Sequence, residues 1–164
     1  MTKRLILMRH AKSDWSHDLD DHERPLNKRG RQSVYALRDW LGLNDYRPDQ
    51  VLCSSAERTH ETHFRLDLKA ETTYLRELYL ADAATLLAVL KKATGDCVLL
   101  VAHNRGFAWF ASQAVSTPPD HSRFEDYPTG ATLVVDFEVD DWEDVRLGSG
   151  TVKDFVVPRD LTDS

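Results

Sequence analysis

The stretch Leu5-Ile6-Leu7-Met8-Arg9-His10-Ala11-Lys12-Ser13 runs four apolar residues straight into an arginine and a histidine. An uninterrupted apolar run predicts a strand buried on both faces, as in the interior of a parallel sheet. In open α/β sheets, ligands collect at the carboxyl ends of such strands. Arg9 and His10 therefore stand at the mouth of a candidate site, and the rest of the chain is expected to supply their partners.

Two further strands end in a comparable way. Val51-Leu52-Cys53 leads into Ser54-Ser55 and Arg58, and Cys97-Val98-Leu99-Leu100-Val101 leads into His103-Asn104. Helices are expected between them. Asn27 caps one of about residues 28–43, with Val34, Leu37 and Leu41 as its buried stripe. Ser54-Ser55 is expected to cap a second, of about 56–66, with Glu57 completing a capping box. A weakly signalled strand follows at about 71–74, and Asp82 caps a helix reaching about Ala93. Another helix turns Phe107, Phe110, Ala111 and Ala114 inward. Pro25 and the acids Asp18, Asp20, Asp21 and Glu23 mark residues 14–27 as a solvated loop. Near the end, 131–139 and 142–148 read as an antiparallel hairpin across Asp140-Asp141, with 152–157 as a final edge piece before a polar tail. Strands alternating with helices, then a hairpin, predict an α/β fold: a three-layer α/β/α sandwich on a mostly parallel sheet with antiparallel edge strands.

The 164 residues are expected to form one domain, 1–164, large enough to bury a core unaided. The formal net charge is −6 and no basic run occurs. Nucleic acid and anionic membranes bind through a clustered positive footprint, so neither is an expected partner. The longest apolar runs fall far short of a membrane span, and the first is needed as a strand, which predicts a cytoplasmic protein. Cys53 and Cys97 lie in apolar runs and read as reduced thiols. His60 and His63 have a spacing that can hold a metal, but without a third ligand they read as solvated helix-face residues. His17, His22 and His121 lie in polar loops with no evident role.

Parallel strands deliver Arg9, His10, Arg58 and His103 to one edge of the sheet. Two arginines and two histidines gathered in an acidic protein are costly without an anion to neutralise them. A phosphoryl group fits, because guanidinium forks match its oxygens and helix N-termini favour negative charge.

Arg9-His10-Ala11 resembles the Arg-His-Gly/Ala signature of the histidine phosphatase superfamily, which has the phosphoglycerate mutase-like fold. Asp21-His22-Glu23-Arg24-Pro25-Leu26-Asn27-Lys28-Arg29-Gly30, Ser54-Ser55-Ala56-Glu57-Arg58-Thr59 and Val101-Ala102-His103-Asn104 are similar to its other blocks, in the same order. The short chain and the Arg24-Pro25-Leu26 block resemble the SixA-like phosphohistidine phosphatases. The resemblance implies that His10 is a nucleophile that becomes a phosphohistidine. It implies that Arg9, Arg58 and His103 hold phosphoryl oxygens, and that neither metal nor cofactor is required. Leu75-Arg76-Glu77-Leu78 resembles the segment that supplies an acid/base in some members, which makes Glu77 the candidate proton donor. Ser16 stands where mutase-like members place a phosphate-binding asparagine, and Asn104 is a further substrate-binding candidate. Arg105 replaces a common proline and is left open between site and solvent. The segment between Glu77 and His103 is too short for the helical lid of larger members, which implies an open site. A phosphorylated protein or a small phosphate ester is the expected partner. A silent phosphate-binding scaffold or a mutase on the same fold are the alternatives, and the oligomeric state is not legible.

Overall fold

A computed structural model describes residues 1–162. In chain order the elements are β1 (Thr2–Arg9), α1 (Lys28–Leu43), β2 (Gln50–Ser54), α2 (Glu57–Leu66), β3 (Glu71–Leu75), α3 (Ala83–Leu90), β4 (Cys97–Ala102), α4 (Gly106–Ala114), β5 (Thr132–Glu138), β6 (Thr151–Val156) and α5 (Pro158–Thr162). The six strands form one sheet in the order β3-β2-β4-β1-β5-β6. Neighbours from β3 to β1 are parallel, while β5 is antiparallel to both β1 and β6. One strand, β5, thus runs against the other five.

Side chains of β1 alternate between two cores. Leu5 and Leu7 join a cluster with Leu86, Leu90, Phe107, Phe110 and Trp142, on the face covered by α3 and α4. Ile6 and Met8 join Val34, Leu37, Leu41 and Leu66, on the face covered by α1 and α2. All four β1 side chains are fully buried, which is why the strand reads as continuously apolar. Full burial of one such side chain is worth roughly 1.5–3 kcal/mol. The expected three layers are present.

The helix caps at Asn27 and Asp82 form as expected: their side chains accept from the N–H groups of Gly30 and Thr85, at 2.8 and 2.9 Å. The cap at Ser54-Ser55 does not. Ala56 occupies the N-cap of α2 without a side-chain cap bond; the buried Ser54 hydroxyl bonds to His103 and meets only the N–H of Ala56, at 3.4 Å.

The hairpin is also revised. Residues 142–148 form no strand. Trp142–Asp144 is a single 3-10 turn started by the Asp141 carboxylate, which accepts from the N–H of Glu143. Trp142 is fully buried and its indole donates to the carbonyl of Gly95 at 2.6 Å. The apolar spacing reflected one anchor dropped from a turn. The strand paired with β5 is β6, with a register shift between Val134 and Val135.

Candidate active site

His10 lies just beyond the carboxyl end of β1 and is 5% exposed. Its Nδ1 is 2.7 Å from the carbonyl oxygen of Ala11. A carbonyl only accepts, so Nδ1 carries the proton and Nε2 keeps its lone pair. The neighbouring backbone is pinned: the N–H of His10 donates to the carbonyl of Ala102, and that of Ala11 to Thr62 Oγ1 at 3.1 Å. Burial pushes His10 down from 6.5 to about 3, its Ala11 hydrogen bond opposes this, and Arg9, Arg58 and Arg24 push it further. The imidazole is therefore neutral at physiological pH, as a nitrogen nucleophile requires.

The partners predicted from sequence converge on it. Arg58, in the first turn of α2 and 3% exposed, points its Nε–H at His10 Nε2 from 3.4 Å. The rings of His10 and His103 lie 5.3 Å apart. His103 Nε2 is 2.7 Å from Ser54 Oγ, which also receives a long bond from the N–H of Ala56 at 3.4 Å. A Ser54 hydroxyl that donates to His103 Nε2 places the proton of the neutral ring on Nδ1. Burial lowers His103 from 6.5 to about 2, and His10 and Arg58 lower it further. Arg9 donates through Nη1 to the carbonyl of Tyr127 at 3.1 Å, and burial beside Arg58 lowers its pKa. Arg9 Nε and His103 Nδ1 are the two buried side-chain polar atoms without a hydrogen-bond partner among the described residues. Both belong to this cluster. Buried polar groups are almost always paired, so two orphans beside one nucleophile mark a place for acceptor oxygens.

The loop expected to be merely solvated contributes directly. The Asp21 carboxylate accepts from Arg58 Nη2 at 3.0 Å, from Arg24 Nη2 at 2.9 Å and from the Tyr79 hydroxyl. The Asp21 carbonyl accepts from Arg58 Nη1 at 2.6 Å. Partial burial raises the Asp21 carboxyl, but the bonds from Tyr79, Arg24 and Arg58 outweigh it and hold the group well below the usual carboxylate range. Arg24 is itself buried, bonds to Ser13 Oγ at 2.6 Å and lies over the Trp15 ring. His22 Nε2 sits 2.8 Å from Ser55 Oγ, with its ring against Tyr79. Asp21, His22 and Arg24 stood in the sequence only as part of a family-like block with no role at the site, and Tyr79 was not singled out at all. The signal available for Asp21 was its position three residues before Arg24 in a loop otherwise without periodicity.

The other candidates make no direct hydrogen bond to the side chains of Arg9, His10, Arg58 or His103 among the described residues. Glu77 is exposed in the 3-10 turn Arg76–Leu78 and makes no side-chain hydrogen bond among the described residues; Tyr79 is the residue of that segment that reaches the site. Ser16 is exposed, and its hydroxyl and N–H both bond to Asp14. Asn104 spends its amide on the backbone, donating to the carbonyls of Asp126 and Tyr127 and accepting from the N–H of Ala108. Arg105 is exposed. His63 bonds to Tyr74 and Thr72, and His121 to Asp160 at 2.9 Å, so these histidines brace surface elements. Among the described residues no group of three or more His, Cys, Asp or Glu side chains is placed to hold a metal. No described helix is long and apolar enough to cross a membrane.

Residues 5–82 match the family model described as histidine phosphatase superfamily, branch 1. An uncharacterized protein of Mycobacterium tuberculosis is 31% identical over 160 residues, covering 93% of this chain and all of the relative. The SixA structure from Nakamurella multipartitia superposes with a TM-score of 0.86 at 24% identity, covering 96% of this chain and 97% of that one. The SixA structure from Agrobacterium tumefaciens gives 0.77 at 25% identity, covering 95% and 99%. The protein histidine phosphatase SixA complexed with tungstate gives 0.77 at 22% identity, covering 97% and 99%. With the ordered Arg9-His10, Arg58 and His103 blocks meeting at one sheet edge, the chain belongs to the histidine phosphatase superfamily and has a SixA-like fold.

Proposed function

We propose that the protein is a phosphatase that works through a covalent phosphohistidine on His10 Nε2, with phosphohistidine-bearing proteins as its favoured substrates. The observation that carries this reading is the pair of orphaned buried groups, Arg9 Nε and His103 Nδ1, beside a neutral imidazole whose unprotonated Nε2 meets only a long contact from Arg58 Nε–H.

The His10 Nε2 lone pair attacks phosphorus, and the bond from phosphorus to the leaving group breaks. Arg9, Arg58 and the Nδ1–H of His103 hold the equatorial oxygens as charge redistributes, which is most of what phosphoryl transfer asks of a protein. Water then attacks phospho-His10, releasing inorganic phosphate and restoring the lone pair. The positive charge of Arg9 and Arg58 is fixed before substrate arrives, so little reorganisation accompanies the step.

The leaving group decides the substrate class. An alkoxide leaving from a phosphate ester needs a proton from a positioned acid. Glu77 is exposed, and Asp21, the carboxylate bonded into the cluster, is held ionised by two arginines. A phosphohistidine whose other ring nitrogen is protonated releases neutral imidazole when its P–N bond breaks and makes no such demand on the enzyme, which favours that class over alkyl phosphates. Aryl phosphates, with a weakly basic leaving group, should also react.

The test is turnover of a chromogenic aryl phosphate and of a phosphohistidine protein by wild type and His10→Ala, with EDTA present. Both activities should fall at least about a thousandfold in the variant while wild type is indifferent to chelation. Retained activity in His10→Ala would reject the mechanism. No turnover by a folded wild-type protein that still binds phosphate would favour a silent binding protein instead.

A further inference from the structure

We infer that the protein carries a second anion-binding site, a basic groove of about 540 Å³ on the same sheet edge as His10, suited to a compact polyanion of the phosphate class. Four cations line it from four separate segments: Lys12, Arg29, Arg123 and Arg159, with Ser33 and Thr129 also in the lining. Among the described residues no carboxylate lines it, in a protein whose formal net charge is −6.

The register of the sheet places the groove. Met8, at the carboxyl end of β1, pairs with Thr132 at the start of β5, and Thr132 pairs with Val156 at the end of β6. The loops carrying Lys12 and Thr129, the start of α1 with Arg29, and α5 with Arg159 therefore all meet at the edge where β1 delivers Arg9 and His10. The walls are firmly seated. The N–H of Gly130 donates to the carbonyls of both Arg9 and His10, and Pro158 packs so closely on Gly130 that an added Cβ would lie 2.5 Å from its ring.

Charge and exposure point to the ligand. Arg123 pairs with Asp126 at 2.9 Å, whereas Lys12, Arg29 and Arg159 have no carboxylate partner among the described residues. The nearby Asp160 is committed to His121 and to the N–H of Val157. All four cations are exposed, and an exposed cation gains little from a single anionic partner. A ligand concentrating two or more charges can engage several at once, and arginine forks bind its oxygens bidentately. The volume falls in the range of small-ligand sites and leaves room for a group the size of pyrophosphate. Binding here requires nothing from His10.

The test is calorimetric titration of sodium pyrophosphate into the full chain at about 0.15 M salt, where weak surface attraction is screened. Wild type is compared with Arg29→Gln/Arg159→Gln, whose fold is checked by circular dichroism. The variant should bind one equivalent fewer than wild type. Identical stoichiometry and affinity in the two proteins would overturn the site. If His10 chemistry were wrong but the groove real, wild type would still lose its equivalent on substitution. The source of the anion follows from kinetics on an aryl phosphate with and without a second phosphate on the ring. A KM raised about tenfold in the variant for the doubly phosphorylated compound alone assigns the groove to the distal group of the substrate. An equal KM, with the lost equivalent retained as a finding, assigns it to a separate phosphate-class effector.

Discussion

His10 and His103 take up protons far below the range of a solvated imidazole, and this has a consequence for stability. In the unfolded chain each would titrate near 6.5, whereas folded His10 titrates at about 3 and His103 at about 2. Between those values the unfolded state binds more protons, so stability is full above about pH 6.5 and falls as pH drops through the interval. The melting temperature should decline steadily from about pH 6.5 toward pH 4, and His103→Gln should show a shallower decline. Parallel curves for the two proteins would contradict the burial argument. Asp21 acts at the same scale. It holds both Nη atoms of Arg58, leaving Nε toward His10. As a positioning residue, Asp21→Asn should lower kcat/KM about tenfold, in line with one charge-assisted hydrogen bond weakened at a partly exposed site. Its pH profile should keep its shape, because the carboxylate is not the group that titrates. Glu77→Gln should leave phosphohistidine turnover within about twofold of wild type, and a hundredfold loss would restore Glu77 as the acid.

At the level of elements, the approach of α1 to the loop after β1 depends on Gly30. A Cβ there would lie 2.1 Å from the carbonyl oxygen of Lys12, two residues beyond His10. Gly30→Ala must push that loop aside, and overpacking of this kind typically costs about 1–3 kcal/mol. Thermal melts should show that loss, and kcat should drop as well, since the displaced segment carries the nucleophile. The helix periodicities, the Asn27 and Asp82 caps and the buried strands were legible because each depends on residues a few positions apart. The 142–148 strand was misread for the same reason. An apolar residue in a turn and one in a strand look alike until it is known which core receives Trp142. Ser54 was read as a cap because local sequence cannot reveal that His103 competes for its hydroxyl.

The whole molecule is one sheet with a core on each face, and β1 contributes to both. We propose on this basis that the chain unfolds as a single unit. Urea transitions followed by tryptophan fluorescence and by far-ultraviolet dichroism should coincide, and two separated midpoints would refute it. Leu7→Ala, at the centre of the sheet, should cost about 2–5 kcal/mol and shift both transitions together.

The sequence by itself determined the sandwich, the order of its elements through α4 and the convergence of Arg9, His10, Arg58 and His103, because parallel strands deliver their carboxyl ends to one edge wherever they occur in the chain. Tertiary structure alone decided which other residues join them. Asp21 and Tyr79 are 58 positions apart, and their meeting over Arg58 depends on where two loops come to rest. The same holds for Lys12, Arg29 and Arg159, which form a basic groove only because β5 and β6 return α5 to the edge where β1 ends. Periodicity encodes which face of an element is buried. It carries no record of what one loop will find when it lies against another.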